Sequence, residues 1–253
     1  MDKKQREERR RQEDIALQRG LLWVVGAIVL EALLVLVNRY YINYLLTDAG
    51  INMSIALGGV LRFLRYAAPV AAGAVLGCTV WQMKQSKRFG LSLTAALALA
   101  AVAVCAHVTV KFQGPGVSML FWLVVAWAVL ALVYYIYQRE FFLAASACGM
   151  SVLGLWFVRY EAAGRLESIL LLAAVAVVTG AVFRLKRKDG FLFCGIQFLP
   201  QKASYTVPLA TCAVSLAVLI GAMFLGGTAA YYLIFAMVAW LFALFVYYTV
   251  KLM

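Results

Sequence analysis

Two stretches, VAWAVLALVYYIY at residues 125–137 and VAWLFALFVYYTV at residues 238–250, pose the question of the fold. Both carry Val-Ala-Trp, then the same seven-residue step from the tryptophan to a Tyr-Tyr pair. Seven residues are about two helical turns, so Trp and the first Tyr share one helix face. Each run is apolar nearly throughout and closes on tyrosines, the residues that collect where hydrocarbon meets water. The two stretches therefore read as membrane helices ending at the same surface. They also raise the prospect of an internal duplication.

The whole composition agrees with the membrane reading. The chain has 253 residues, of which 65% are hydrophobic and 13% charged, against roughly half and a quarter in soluble domains. Mean hydropathy is +0.90. The net charge of +12 would suggest nucleic acid in a soluble chain, but no aromatic–basic groove motif accompanies it, and nucleic acid is not an expected partner. Cys78, Cys105, Cys148, Cys194 and Cys212 form no C-x-x-C pair, and His107 is the single histidine. Neither a disulfide framework, a metal site nor a cofactor is expected.

Runs of about 17–25 apolar residues predict about eight spans: 21–37, 67–83, 91–110, 117–137, 141–158, 166–183, 205–225 and 229–250. Residues 1–20, rich in Arg, Lys, Glu and Gln, predict a charged cytosolic helix leading into the transmembrane domain at 21–253. The first run ends in Val35, Leu36 and Val37 rather than at a small-residue cleavage site, and reads as a retained anchor. The connection at 42–66 lies outside on this topology; its Ile-Ala-Leu-Gly-Gly stretch at 55–59 is too short to span before Arg62 and Arg65, and predicts an interfacial or re-entrant helix.

Charge placement orients the bundle. With the N-terminus inside, the cytoplasmic segments hold most of the Lys and Arg, including Lys87, Arg88, Arg184, Lys186, Arg187 and Lys188. The outer side receives Arg39, Arg62, Arg65, Lys111, Arg159 and Arg165. The positive-inside rule then predicts a multi-pass protein of the cell membrane with both termini cytoplasmic. Arg184, Lys186, Arg187 and Lys188, followed by a segment with Phe191, Cys194 and Phe198, have the composition of a stretch lying on anionic lipid.

The fold class expected is an all-α polytopic bundle. A second echo supports a tandem repeat: Arg39–Tyr40 follows the first span and Arg159–Tyr160 the fifth. First with fifth and fourth with eighth is the pairing of a 4+4 parallel repeat, with halves at 21–140 and 141–253.

Candidate chemistry is sparse. Glu31 is the one carboxylate deep in a span, where an ionised group costs a few kcal/mol unless paired or protonated. It reads either as a proton- or cation-coupling group or as a structural hydrogen-bonding group. Arg39, Arg62, Arg65, His107, Arg159 and Arg165 collect at outer ends and form, with Glu31, the candidate substrate-binding set. Arg suits anionic groups, and equally snorkels to the interface. Small residues at Gly73 and Gly77, and the stripe Ser204, Pro208, Thr211, Ser215, Ala222 and Gly226, suit close helix packing. No nucleophile–base or paired-carboxylate arrangement is visible, so no catalytic residue is named and no enzyme is expected.

Two functions remain open: a subunit or scaffold with a membrane-protein partner or a second copy, and a small transporter or channel for an apolar, lipid-like or anionic solute. Orientation is tested first. Single cysteines at Lys87 and Lys188, in a background without native cysteines, stay protected from an impermeant thiol reagent in intact cells, while one at Asp48 is labelled. Reversed labelling overturns the orientation.

Overall fold

The computed structural model describes residues 3–84, 90–136, 139–160, 164–187 and 205–252. Lys87, Arg88, Glu161, Lys188, Lys202, Ser204 and the segment around Phe191, Cys194 and Phe198 lie outside the described residues. Among those described there is no strand. The helices are α1 Lys3–Val37, α2 Asp48–Lys84, α3 Gly90–Ile136, α4 Arg139–Arg159, α5 Arg165–Arg187, α6 Thr206–Leu225 and α7 Gly227–Leu252. A π-helical turn, Asn38–Ile42, continues α1. Seven helices are long and apolar enough to cross a membrane. This all-helical outcome is what hydrocarbon demands, since a helix satisfies its own backbone groups.

Two expectations about boundaries change. The stretch at 55–59 is not a separate interfacial helix but part of the opening of α2, which runs unbroken for 37 residues and through Pro69. Gly58 and Gly59 sit inside this helix, and the only glycine with positive φ among the described residues is Gly226. With no left-handed residue to end the helix there, it continues into the apolar run. The third and fourth predicted spans fall within α3, whose two arms, 90–112 and 114–136, are interrupted at Gln113 with φ 47° and ψ −126°. A methyl placed on Gly116 would sit 2.8 Å from the Val108 carbonyl oxygen. Eight residues of straight helix would put such positions about 12 Å apart. The chain therefore folds back at Gln113-Gly114-Pro115-Gly116.

The chain clusters into two compact units, one comprising Leu21–Val129 and the other Met1–Gly20 with Leu130–Met253. In the N-terminal unit, the π-helical turn packs on α2. Ser54 Oγ donates to the Tyr41 carbonyl at 3.5 Å, and the Tyr41 ring lies over Gly58. Trp23 and Trp127 meet edge to face, with ring centroids 5.3 Å apart.

In the C-terminal unit, α4 packs against α5, α6 and α7. Its buried positions include Phe141, Ala144, Cys148, Ser151, Leu155 and Val158, a helical stripe of mostly small residues that permits close approach. Leu219 fills the space beside Gly154, where a Cβ would lie only 2.6 Å from the Leu219 Cδ2. The sequence-predicted stripe on α6 is spent on this packing: Pro208, Thr211, Ser215 and Ala222 are all buried. At the other end of the unit, Lys251 Nζ donates to Glu140 Oε2 at 3.1 Å, beside the stacked rings of Phe141 and Tyr248. Glu140 stands in the first turn of α4 and Lys251 in the last turn of α7, so each charge also complements its own helix dipole.

Two helical reversals pass through positive φ. Gln113 and Gly226 are the two positive-φ residues among those described. Trp127 lies 14 residues after Gln113, and Trp240 lies 14 residues after Gly226. The residue after each turn meets the end of another helix: Gly114 lies against Ile42 of the π-helical turn, and Gly227 against the backbone of Arg159 at the end of α4.

Packing at Gly154 yields a stability test. Gly154→Leu forces a side chain into space held by Leu219 and Leu171, and overpacking of this kind costs about 1–3 kcal/mol. The variant's thermal unfolding in mild detergent shifts down; an unchanged midpoint overturns the close packing.

Candidate functional site

A cavity of about 390 Å³ lies within the N-terminal unit, between α1, α2 and the first arm of α3. Leu30, Leu34 and Val37 enter it from α1, Leu57, Leu61 and Leu64 from α2, and Ala106 and Thr109 from α3. The lining is apolar almost throughout, and the volume lies toward the lower end of the ~300–1,000 Å³ range of small-molecule sites. Its shape follows from local sequence. The Leu residues on α1 and α2 recur at helical spacing and hold two helices apart with large side chains. The alanine-rich first arm of α3 supplies only short ones, so the gap is left unfilled.

Tyr40, on the π-helical turn, completes the lining at one end. The Arg39 guanidinium sits 5.9 Å from the centroid of that ring, which ties a fixed positive charge to a wall of the cavity. Beside it, Asn43 Nδ2 donates to Asn38 Oδ1 at 3.2 Å. That bond occupies the Asn38 oxygen and leaves its amide nitrogen with protons to donate.

The predicted site residues divide between the units. Glu31, Arg39, Arg62, Arg65 and His107 belong to the N-terminal unit, Arg159 and Arg165 to the C-terminal one. Glu31 follows the cavity-lining Leu30 on α1, and its Oε1 is buried with no hydrogen-bond partner. Arg62 is exposed, and Arg65 is half-buried with its guanidinium 5.6 Å from the Tyr66 centroid. His107 is half-buried and does not line the cavity, although its neighbour Ala106 does. Arg159 stands over Tyr231 at 4.9 Å, in a shallow recess with Gly227, Thr228 and Tyr232. Arg165 is exposed at the start of α5. Arg184, Lys186 and Arg187 are exposed in the last turn of α5, with Arg187 over Phe183 at 4.7 Å.

Sequence reasoning named the charged residues near the cavity and missed the cavity itself. Its lining is leucine, valine and alanine, the same alphabet as a lipid-facing surface. The one available signal was the contrast between leucine-rich α1 and alanine-rich residues 95–106. No group of three or more metal-ligating side chains occurs among the described residues.

The unpartnered carboxyl oxygen of Glu31 carries a stability prediction. Leaving a buried acceptor unsatisfied costs about 1–3 kcal/mol, so Glu31→Leu raises the unfolding temperature in detergent. A lowered midpoint shows that the carboxyl has a stabilising partner. Comparisons with family models, with curated proteins and with solved structures found no match for this chain.

Proposed function

We propose that the protein is a non-enzymatic, eight-pass membrane protein built from two tandem four-helix repeats. In this reading its N-terminal repeat takes up an apolar, lipid-like solute for transport. What supports eight passes is the fold-back at Gln113, which divides α3 into two arms of spanning length. What supports the repeat is the shared offset of turn, tryptophan and tyrosine pair: Gln113 with Gly226, Trp127 with Trp240, and Tyr134 with Tyr247. Arg39–Tyr40 pairs with Arg159–Tyr160 at the ends of the corresponding first helices.

Divergence between the repeats assigns their roles. On this alignment Leu34 corresponds to Gly154, and Ala106 to Leu219. In the C-terminal repeat, glycine faces leucine and the helices close onto each other. In the N-terminal repeat, Leu34 keeps the helices apart and Ala106 does not reach across. The observation that carries the function is the resulting apolar cavity. The C-terminal repeat is the packed support, and Glu31 and Arg39 are the polar groups of the binding repeat.

A second reading, a subunit or scaffold, is favoured by Gly73 and Gly77 on α2. Both are exposed, with no other part of the chain within 4 Å of where a Cβ would stand. A stoichiometric membrane-protein partner or a second copy seated on that face is the outcome this reading requires.

The cavity is tested by filling it. Ala106 is buried and lines the cavity, so Ala106→Leu extends into empty space. The variant unfolds at the parent's temperature or above, and loses uptake of an apolar fluorescent probe into protein-containing vesicles. Retained uptake in a folded variant overturns the cavity as the solute site.

A further inference from the structure

We propose that the N-terminal cavity takes the single acyl chain of an anionic amphiphile, with its negative head held at the π-helical turn by Arg39 and Asn38. The inference rests on the cavity being the solute site, and adds the solute's chemistry. The lining offers almost nothing polar, so it selects hydrocarbon and would leave a charged or hydroxylated head unsolvated inside. The head must therefore stay at an end of the cavity where polar groups stand.

The structure provides such an end. Tyr40 belongs to the lining and carries the Arg39 guanidinium over its ring. Arg39 itself is exposed, with no ion-pair partner among the described residues. Its charge is therefore free for a ligand, and a guanidinium matches the planar fork of a carboxylate or the oxygens of a phosphate. Asn38, half-buried one residue earlier, adds amide protons that its bond with Asn43 does not consume. The π-helical geometry contributes as well: a widened turn in an otherwise regular helix is a common device at functional sites. Here its packing through Tyr41 onto Ser54 and Gly58 of α2 fixes the turn beside the cavity.

The corresponding pair in the other repeat is committed elsewhere. Arg159 lies over Tyr231, and its backbone is packed on Gly227. The recess at Arg159, lined by Gly227, Thr228, Tyr231 and Tyr232, is more polar than the N-terminal cavity, and Leu219 fills the space at Gly154. The N-terminal repeat thus sets its arginine at the end of an apolar cavity, where the other sets its arginine in a polar recess.

The test uses the full chain in phosphatidylcholine nanodiscs with two photoactivatable probes. One is palmitate and the other the uncharged hexadecanol, each with a diazirine at the chain terminus. Palmitate is expected to cross-link to residues within 53–64 or 102–109, well above hexadecanol, and Ala106→Leu to abolish that cross-link. Losing a charge-assisted contact weakens binding about tenfold, so Arg39→Gln reduces palmitate labelling by that factor and leaves hexadecanol unchanged. Arg39→Lys keeps part of the preference. Equal labelling by both probes, unaffected by Arg39→Gln but abolished by Ala106→Leu, overturns the anionic head while the apolar site stands. Labelling that Ala106→Leu does not change overturns the cavity as the site, and the amphiphile with it.

Discussion

Hydrocarbon offers a peptide group no hydrogen-bond partner, and every other feature of this protein follows from that constraint. It makes the chain helical through all described residues except short turns, and it confines breaks to places where backbone groups are satisfied another way. The two sharp reversals show how. At Gln113 and at Gly226 the backbone passes through positive φ, reversing direction with almost no exposed loop. At Gly226 the amide still donates to the Ala222 carbonyl at 2.9 Å, and the Ala230 amide donates to the Gly226 carbonyl at 3.1 Å. A helical hairpin of this kind loses little hydrogen bonding as it turns.

Because the solvent is itself apolar, burial of leucine does not drive these helices together as it does in water. Shape decides instead. In the C-terminal unit the small residues of α4 let α6 come close enough for Leu219 to fill the space beside Gly154, and the Cys148 thiol donates to the Met237 carbonyl at 3.3 Å. In the N-terminal unit leucines stand on both α1 and α2, and large side chains at a contact set the helix axes farther apart. The two units thus differ in packing: small residues let the helices of the C-terminal one approach closely, while the N-terminal one keeps an apolar cavity between three helical segments.

The polar groups follow the same logic. Where they support structure they are paired: Glu140 with Lys251, Thr211 with the Trp240 indole, Ser168 with the Gly164 carbonyl. Glu31 Oε1 in the N-terminal unit, like Ser215 Oγ and the Tyr248 hydroxyl in the C-terminal one, is buried without a hydrogen-bond partner, and the Arg39 guanidinium lies over the Tyr40 ring.

Much of this was legible in the amino-acid sequence, because hydropathy and helical periodicity are local properties. The helical membrane class, the spans from α4 onward and the isolation of Glu31 all follow from runs of residues read one at a time. The Trp-to-Tyr-Tyr echo was visible too, but membrane helices share a small alphabet, so such a match is weak evidence of a repeat by itself. Only the tertiary structure decided that Gln113 adopts the same unusual backbone sign as Gly226, which glycine content alone would not suggest. It also decided that residues 48–84 form one helix rather than an interfacial piece and a span. The cavity belongs wholly to the tertiary level: leucine facing a cavity and leucine facing lipid are identical in sequence, and only the distance between helices separates them.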